Sequence, residues 1–186
     1  MSKFHTNKIL KIVVLENEIE LERAVSIYGK LRWMSKEDKN LVPIRKHLKT
    51  LINEYEKLNW QNIEDITEKN IAESDEAERI VETENLFIQQ RKDLIKRKLK
   101  SNGLKQQDLG KILGHRKNYM SELINGIRPF SKNNLIILNQ LLGISWSKLI
   151  PPFIDDKTKE QINLTLTELN KPKLKFKYDG WKEVQV

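Results

Sequence analysis

The chain has 186 residues, 38% of them hydrophobic and 32% charged, and no cysteine, a soluble globular balance with room for one ordinary domain or two small ones. The missing cysteines exclude disulfides and thiolate metal sites and fit a reducing cytoplasm. No apolar run approaches the ~20 residues a membrane span needs, and Lys8–Leu15, interrupted by Lys11, does not read as a signal peptide.

The net charge of +8 is unevenly spread: residues 16–90 carry eleven Lys/Arg against seventeen Asp/Glu, while residues 91–150 carry thirteen against three. Such a concentrated excess is the footprint of a polyanion binder, preceded here by an acidic region.

Taken in order, Lys8–Leu15 is short and rich in β-branched residues, which predicts a strand. Asn17 with Glu20 suggests a helix N-cap, followed by an apolar face through Ala24, Ile27, Leu31 and Met34. A second helix is predicted from Pro43 onward, carrying Ile44, Leu48, Leu51, Ile52 and Tyr55. Periodicity weakens over Asn59–Ser74. Ser74 or Asp75 offers the next cap, and the following pattern runs through Ile80, Phe87, Ile95 and Leu99 to a stop at Asn102-Gly103.

Residues 103–128 carry the most specific signal. Leu104, Leu109, Ile112 and Leu113 follow helical spacing, and so do Tyr119, Met120, Leu123 and Ile124, with Gly114 at the turn between them. The remaining positions of the second helix are Arg116, Lys117, Asn118, Ser121, Glu122 and Asn125, nearly all able to bond a base edge or a phosphate. A plain polar helical hairpin is the bland alternative; it leaves the coincidence of spacing, turn glycine and basic flanks without a reason. Ser131 caps a further helix ended by Gly143, and a last short helix stops at Pro151-Pro152.

In the tail, Leu164–Leu169 alternates weakly and Lys173–Tyr178 cleanly, before Asp179-Gly180 and Trp181–Val186, which predicts a β-hairpin over 173–186. The expected fold is therefore mainly α. A strand and helical hairpin (1–58) lead through an acidic connector (59–85) to a five-helix helix-turn-helix domain (86–154), with a hairpin-bearing extension (155–186) last. No catalytic constellation, phosphate-cradling loop or metal set is present, so neither an enzyme nor a cofactor is expected.

Leu104-Lys-Gln-Gln-Asp-Leu109, Leu113-Gly114, Ser121-Glu122-Leu123, Asn125-Gly126, Arg128-Pro129 and Leu142-Gly-Ile144 resemble the helix-turn-helix of the phage-repressor-like (XRE) family. More narrowly, the run from Gly114 to Pro129 resembles HigA-type antitoxins, whose helical N-terminal region residues 8–58 also resemble. The long acidic stretch 59–85 and the tail 155–186 depart from that pattern. The resemblance implies a homodimeric cytoplasmic antitoxin that neutralises a RelE/HigB-like mRNA-cleaving toxin and represses its own operon. The family's docking geometry puts Gln106 on a phosphate or behind the recognition helix. It brings Arg116, Lys117 and Asn118 to the base edges, Lys117 suiting guanine and Asn118 adenine. Ser121 suits a phosphate or a permissive base contact, Glu122 would accept from cytosine or steady Arg116 or Lys117, and Lys105, Asn125 and Arg128 lie near the backbone. A stand-alone XRE-family regulator without a toxin partner is the alternative, and an interaction module with no DNA role a third.

Overall fold

The computed structural model describes residues 4–154, 156–171 and 174. All regular structure among them is helical, in the order α1 (Glu18–Glu37), α2 (Val42–Asn59), α3 (Glu68–Ser101), α4 (Gln106–Leu113), α5 (Lys117–Ile124), α6 (Lys132–Leu142), α7 (Trp146–Leu149) and α8 (Asp156–Glu168). The mainly α expectation holds, but its β elements need correction.

The strand expected over 8–15 does not form. Ile9–Lys11 is a 3-10 turn, in which the amides of Lys8 and Ile9 bond to the His5 carbonyl at 2.7 and 3.0 Å, and Lys11 bonds to Lys8 at 2.9 Å. Ile9, Ile12 and Leu15 are buried while Leu10, Val13 and Val14 are exposed. That three-residue spacing suits a 3-10 turn, whose side chains at i and i+3 eclipse, and the described residues provide no strand to pair with. Helix α8 likewise replaces the weak alternation read over 164–169. The hairpin proposed for 173–186 lies outside the described residues except for Leu174, whose amide makes a turn bond to the Lys171 carbonyl at 2.9 Å.

Local signals explain the helix starts. Asn17 Oδ1 accepts from the Glu20 amide at 3.0 Å, and the Glu20 carboxylate accepts in return from the Glu16 amide at 2.9 Å. Helix α3 begins upstream of the predicted Ser74, because Thr67 and Asn70 make a reciprocal capping box at 3.2 and 3.0 Å. The first turns of α3 lack a clear apolar period because they are solvent-exposed.

Two hydrophobic cores result. The first joins Phe4, Ile9, Ile12 and Leu15 to α1 and α2, and the second is built by Ile95 and Leu99 of α3 with α4 to α7. Helix α3, about 50 Å long at 1.5 Å per residue, belongs to both halves: Ala77, Ile80, Val81 and Phe87 are buried in its first part, Ile95 and Leu99 in its second. It packs along α1, held by the two Arg23–Glu84 bonds at 2.6 and 3.1 Å and by Ser26–Asn85 at 2.9 Å. Ile127, from the loop after α5, crosses over to pack in the first core.

Because one rigid helix and one crossing side chain couple the cores, they should unfold together. Leu31→Ala and Ile95→Ala, both at fully buried positions, should each lower stability by about 2–5 kcal/mol. Both should do so within one urea transition, followed in parallel by circular dichroism and tryptophan fluorescence; two separated transitions would show independent cores.

Candidate nucleic-acid interface

Helix α4 ends at Gly114, whose φ of 70° supplies the left-handed residue that closes a helix and turns the chain. The His115 amide bonds back to the Gly110 carbonyl at 2.7 Å, and α5 follows after one more residue. Met120, Leu123 and Ile124 anchor α5 in the second core against Leu109 and Leu113. His115 sits at this junction with its ring 4.6 Å from that of Tyr119 and its Nε2 3.0 Å from Asn134 Nδ2. The turn is thus tied back to α4 through Gly110, to α5 through Tyr119 and to α6 through Asn134.

At the start of α5, Arg116 is the N-cap residue, and Arg116, Lys117 and Asn118 are all exposed. Lys105 is exposed at the N-cap of α4, its amide bonded to Asp108 Oδ2 at 2.8 Å, and half-buried Gln106 follows as the first helical residue. The C-terminal turns of α3 add Lys96, Arg97 and Lys100, all exposed. These are cations and amides that a phosphate or a base edge can reach.

Several of the sequence-selected residues are engaged within the protein. Glu122 is buried: its Oε2 accepts from Thr6 Oγ1 at 2.6 Å and from Arg128 Nε at 2.9 Å, with Arg128 Nη2 at 2.8 Å. Arg128 also lies over the Tyr119 ring at 4.6 Å. Asn125 caps the end of α5, its Nδ2 donating to the Ser121 carbonyl at 2.9 Å while its Oδ1 accepts from Lys92 Nζ at 2.8 Å. Ser121 Oγ lies 3.4 Å from the same Asn125 Nδ2.

Sequence reasoning had no reason to select Thr6. Its amide also bonds to the Ile127 carbonyl at 3.1 Å, so the N-terminal arm is stitched to the loop after α5 by a main-chain and a side-chain bond. Nothing local marks it; a threonine in a leading arm carries no periodic signal.

The sequence also gave no warning of what faces α5. Gln106, Lys117, Asn118, Ser121 and Asn125 line one wall of a cleft of about 360 Å³ whose other wall is the end of α1 and the turn after it, including Trp33, Glu37 and Asp38. Glu37 Oε2 lies 3.6 Å from Lys117 Nζ, both side chains largely in water. The polar face of α5 therefore looks across a narrow cleft at an acidic helix end. Among the described residues, no group of three or more histidines and carboxylates is arranged to hold a metal.

The Glu122 carboxylate is the measurable hinge pin of this arrangement. Glu122→Ala leaves Arg128 without its counter-charge and Thr6 without its acceptor, and should cost about 3 kcal/mol. Thr6→Val, which removes one hydrogen bond, should cost about 1 kcal/mol. Denaturant midpoints of the two variants and of the double variant would check both values and their coupling.

No curated protein and no solved structure matches the chain. The helix-turn-helix family model matches residues 95–149, a span that runs from the second half of α3 to the end of α7. With Gly114 at the turn and the basic start of α5 beyond it, residues 95–149 are an XRE-family helix-turn-helix domain, of the kind found in DNA-binding regulators that are generally not enzymes.

Proposed function

We propose that the protein is a transcriptional regulator that reads operator DNA with Arg116, Lys117 and Asn118 and is gated by its own N-terminal helices. The observation carrying this reading is the family match at residues 95–149 together with the exposed basic start of α5. Lys105, Gln106 and the basic end of α3 supply phosphate contacts. Glu122 is left out of the reading set because it is buried beneath Thr6 and Arg128. Asn125 and Arg128 act through the protein, the first by capping α5 and the second by holding Glu122.

The gate follows from the cleft. A recognition helix must enter a major groove about 12 Å wide and 8.5 Å deep. The end of α1 stands one side chain away from the face that would enter, with Glu37 beside Lys117. Reading DNA with that face requires α1 and α2 to move relative to α5. Whatever binds those helices then sets access to the operator.

On the finer level, the chain acts as a cytoplasmic antitoxin whose acidic region, residues 16–90, takes a basic RelE-like toxin, and a homodimer presents two reading helices to half-sites about 34–36 Å apart. Support for this comes from the HigA-like motif run and from the charge contrast between residues 16–90 and 91–150. A stand-alone regulator answering to a small molecule is the second reading, favoured by an open groove between α1 and α3. Co-expression with a short basic reading frame beside the gene separates them: copurification and rescued growth support the antitoxin.

The chain has no cysteine, so Glu37→Cys with Lys117→Cys gives a unique pair to bridge with a short bismaleimide. The bridged protein should lose specific operator binding in a gel-shift assay. The same double variant, reduced and unbridged, lacks the Lys117 contact and should bind the operator about 1–3 kcal/mol more weakly than the unaltered chain, yet still in preference to shuffled DNA; equal binding by the bridged and unbridged forms would dismiss the gate. Separately, Asn118→Ala should lose about 1–3 kcal/mol on operator and little on shuffled DNA, whereas Lys105→Ala should weaken both and flatten the salt slope.

A further inference from the structure

Between α1 and the middle of α3 lies an open groove of about 720 Å³, within the range of small-molecule sites. Two ammonium groups face it. Lys30 Nζ donates to Asn85 Oδ1 at 3.0 Å, an oxygen that Ser26 Oγ also uses, and Lys92 Nζ donates to Asn125 Oδ1 at 2.8 Å. Neither lysine forms a salt bridge among the described residues; Glu84, whose charge Lys30 feels, is engaged by Arg23, and Asp93, beside Lys92, accepts from Gln89 Nε2 at 2.8 Å. Burial, and then the charge of Lys92, push the Lys30 ammonium down to about 8. Lys30 and Lys92, each bonded to an amide oxygen, thus form a pair of like charges, an arrangement that an anion between them would relieve.

The wall beside these lysines contains a glycine with no internal reason. Gly29 lies within α1, where glycine costs about 1 kcal/mol relative to alanine. A Cβ built there would meet nothing within 4 Å, so no neighbour forbids a side chain. What Gly29 does is keep the groove open beside Lys30. One turn further on, Trp33 is 71% exposed, with Leu86, 43% exposed, also lining the groove. Glu82, the groove's one acidic side chain, sits ten residues before Lys92, about 15 Å away along α3. The groove therefore has a cationic end and an apolar flank.

We propose that this groove binds a small anion with a flat apolar body, its carboxylate or phosphate between Lys30 and Lys92 and its body along Gly29 and Trp33. The groove adjoins the cleft opposite α5, sharing Trp33 and Asn125 with it, and Lys92 connects it to the cap of α5 through Asn125.

Titration calorimetry on the full chain tests this with phenyl phosphate and benzoate as probes, and with inorganic phosphate and phenol as controls. One or both aromatic anions should bind saturably at one site per chain, with inorganic phosphate about tenfold weaker or more and phenol not detectable. Lys30→Gln and Lys92→Gln should each weaken binding about tenfold or more. Gly29→Leu should abolish it while leaving the melting temperature unchanged or higher, because leucine is the better helix former and the space is empty. The stable Gly29→Leu variant separates a blocked groove from a damaged fold. No saturable binding of either aromatic anion at millimolar concentration would overturn the proposal. So would equal affinity for inorganic phosphate, or binding that survives Gly29→Leu.

Discussion

The buried carboxylate of Glu122 is the constraint on which the arrangement of the two halves depends. A carboxylate taken out of water is costly unless its oxygens are bonded and its charge is met. Here Arg128, six residues later in the same motif, meets the charge, and Thr6, more than a hundred residues earlier, supplies a second donor. The first partner is local and would form in any isolated helix-turn-helix. The second exists only when the N-terminal arm is in place. Completing the solvation of one side chain on the recognition helix therefore recruits the start of the chain, and Ile127, two residues before Pro129, follows it into the N-terminal core.

Helix α3 makes that recruitment geometrically possible. Its first part lies along α1 and its second part closes the helix-turn-helix core, so the acidic and basic regions meet on one rigid element. Arg91 marks the passage between them. It is buried between the rings of Phe87 and Phe130, 5.6 and 5.2 Å away, with Nη1 donating to the Leu149 carbonyl at 3.1 Å; desolvation pulls its guanidinium down to about 10. A buried cation held by ring faces and a carbonyl, with no ion pair among the described residues, fixes how α3 enters the second core.

What was legible in the sequence follows the range of the interactions involved. The turn at Gly114, the cap at Asn17 and the apolar faces of α1, α2 and α5 are local events, set by residues three or four apart, and the spacings that mark the helix-turn-helix are of the same short range. The arm at 8–15 was misread because β-branched composition resembles a strand while its burial follows a period of three. The start of α3 was misread because an exposed first turn carries no apolar period, and only the Thr67–Asn70 box announces it. Glu122 could be seen as out of place beside phosphates, but its partner in Thr6 could not, since contacts over such separations leave no periodic trace. The cleft opposite Lys117 has the same origin: it is a product of packing between halves that the sequence presents as consecutive.

The strength of the gate can be bounded from those few cross-contacts. The Lys117–Glu37 pair is exposed on both sides and contributes at most a small, salt-screened term. Besides the packing of α1 along α3, with its Arg23–Glu84 and Ser26–Asn85 bonds, the contacts that resist separation are Ile127 in the N-terminal core and the two bonds of Thr6, one to a carboxylate and one between main-chain groups. Burying an isoleucine is worth about 1.5–3 kcal/mol, a bond to a charged group about 1.5–3, and a main-chain bond about 0.5–1.5. Together these three contribute about 3.5–7.5 kcal/mol against opening, and the α1–α3 packing adds to them, so the closed form predominates. Specific DNA binding exceeds non-specific binding by about 4–10 kcal/mol. An operator brings that surplus to bear against the closed form, whereas non-specific DNA offers none and leaves it closed. Such a gate sharpens discrimination between DNA sequences, and a partner on α1 and α2 moves it by its differential affinity for the open form.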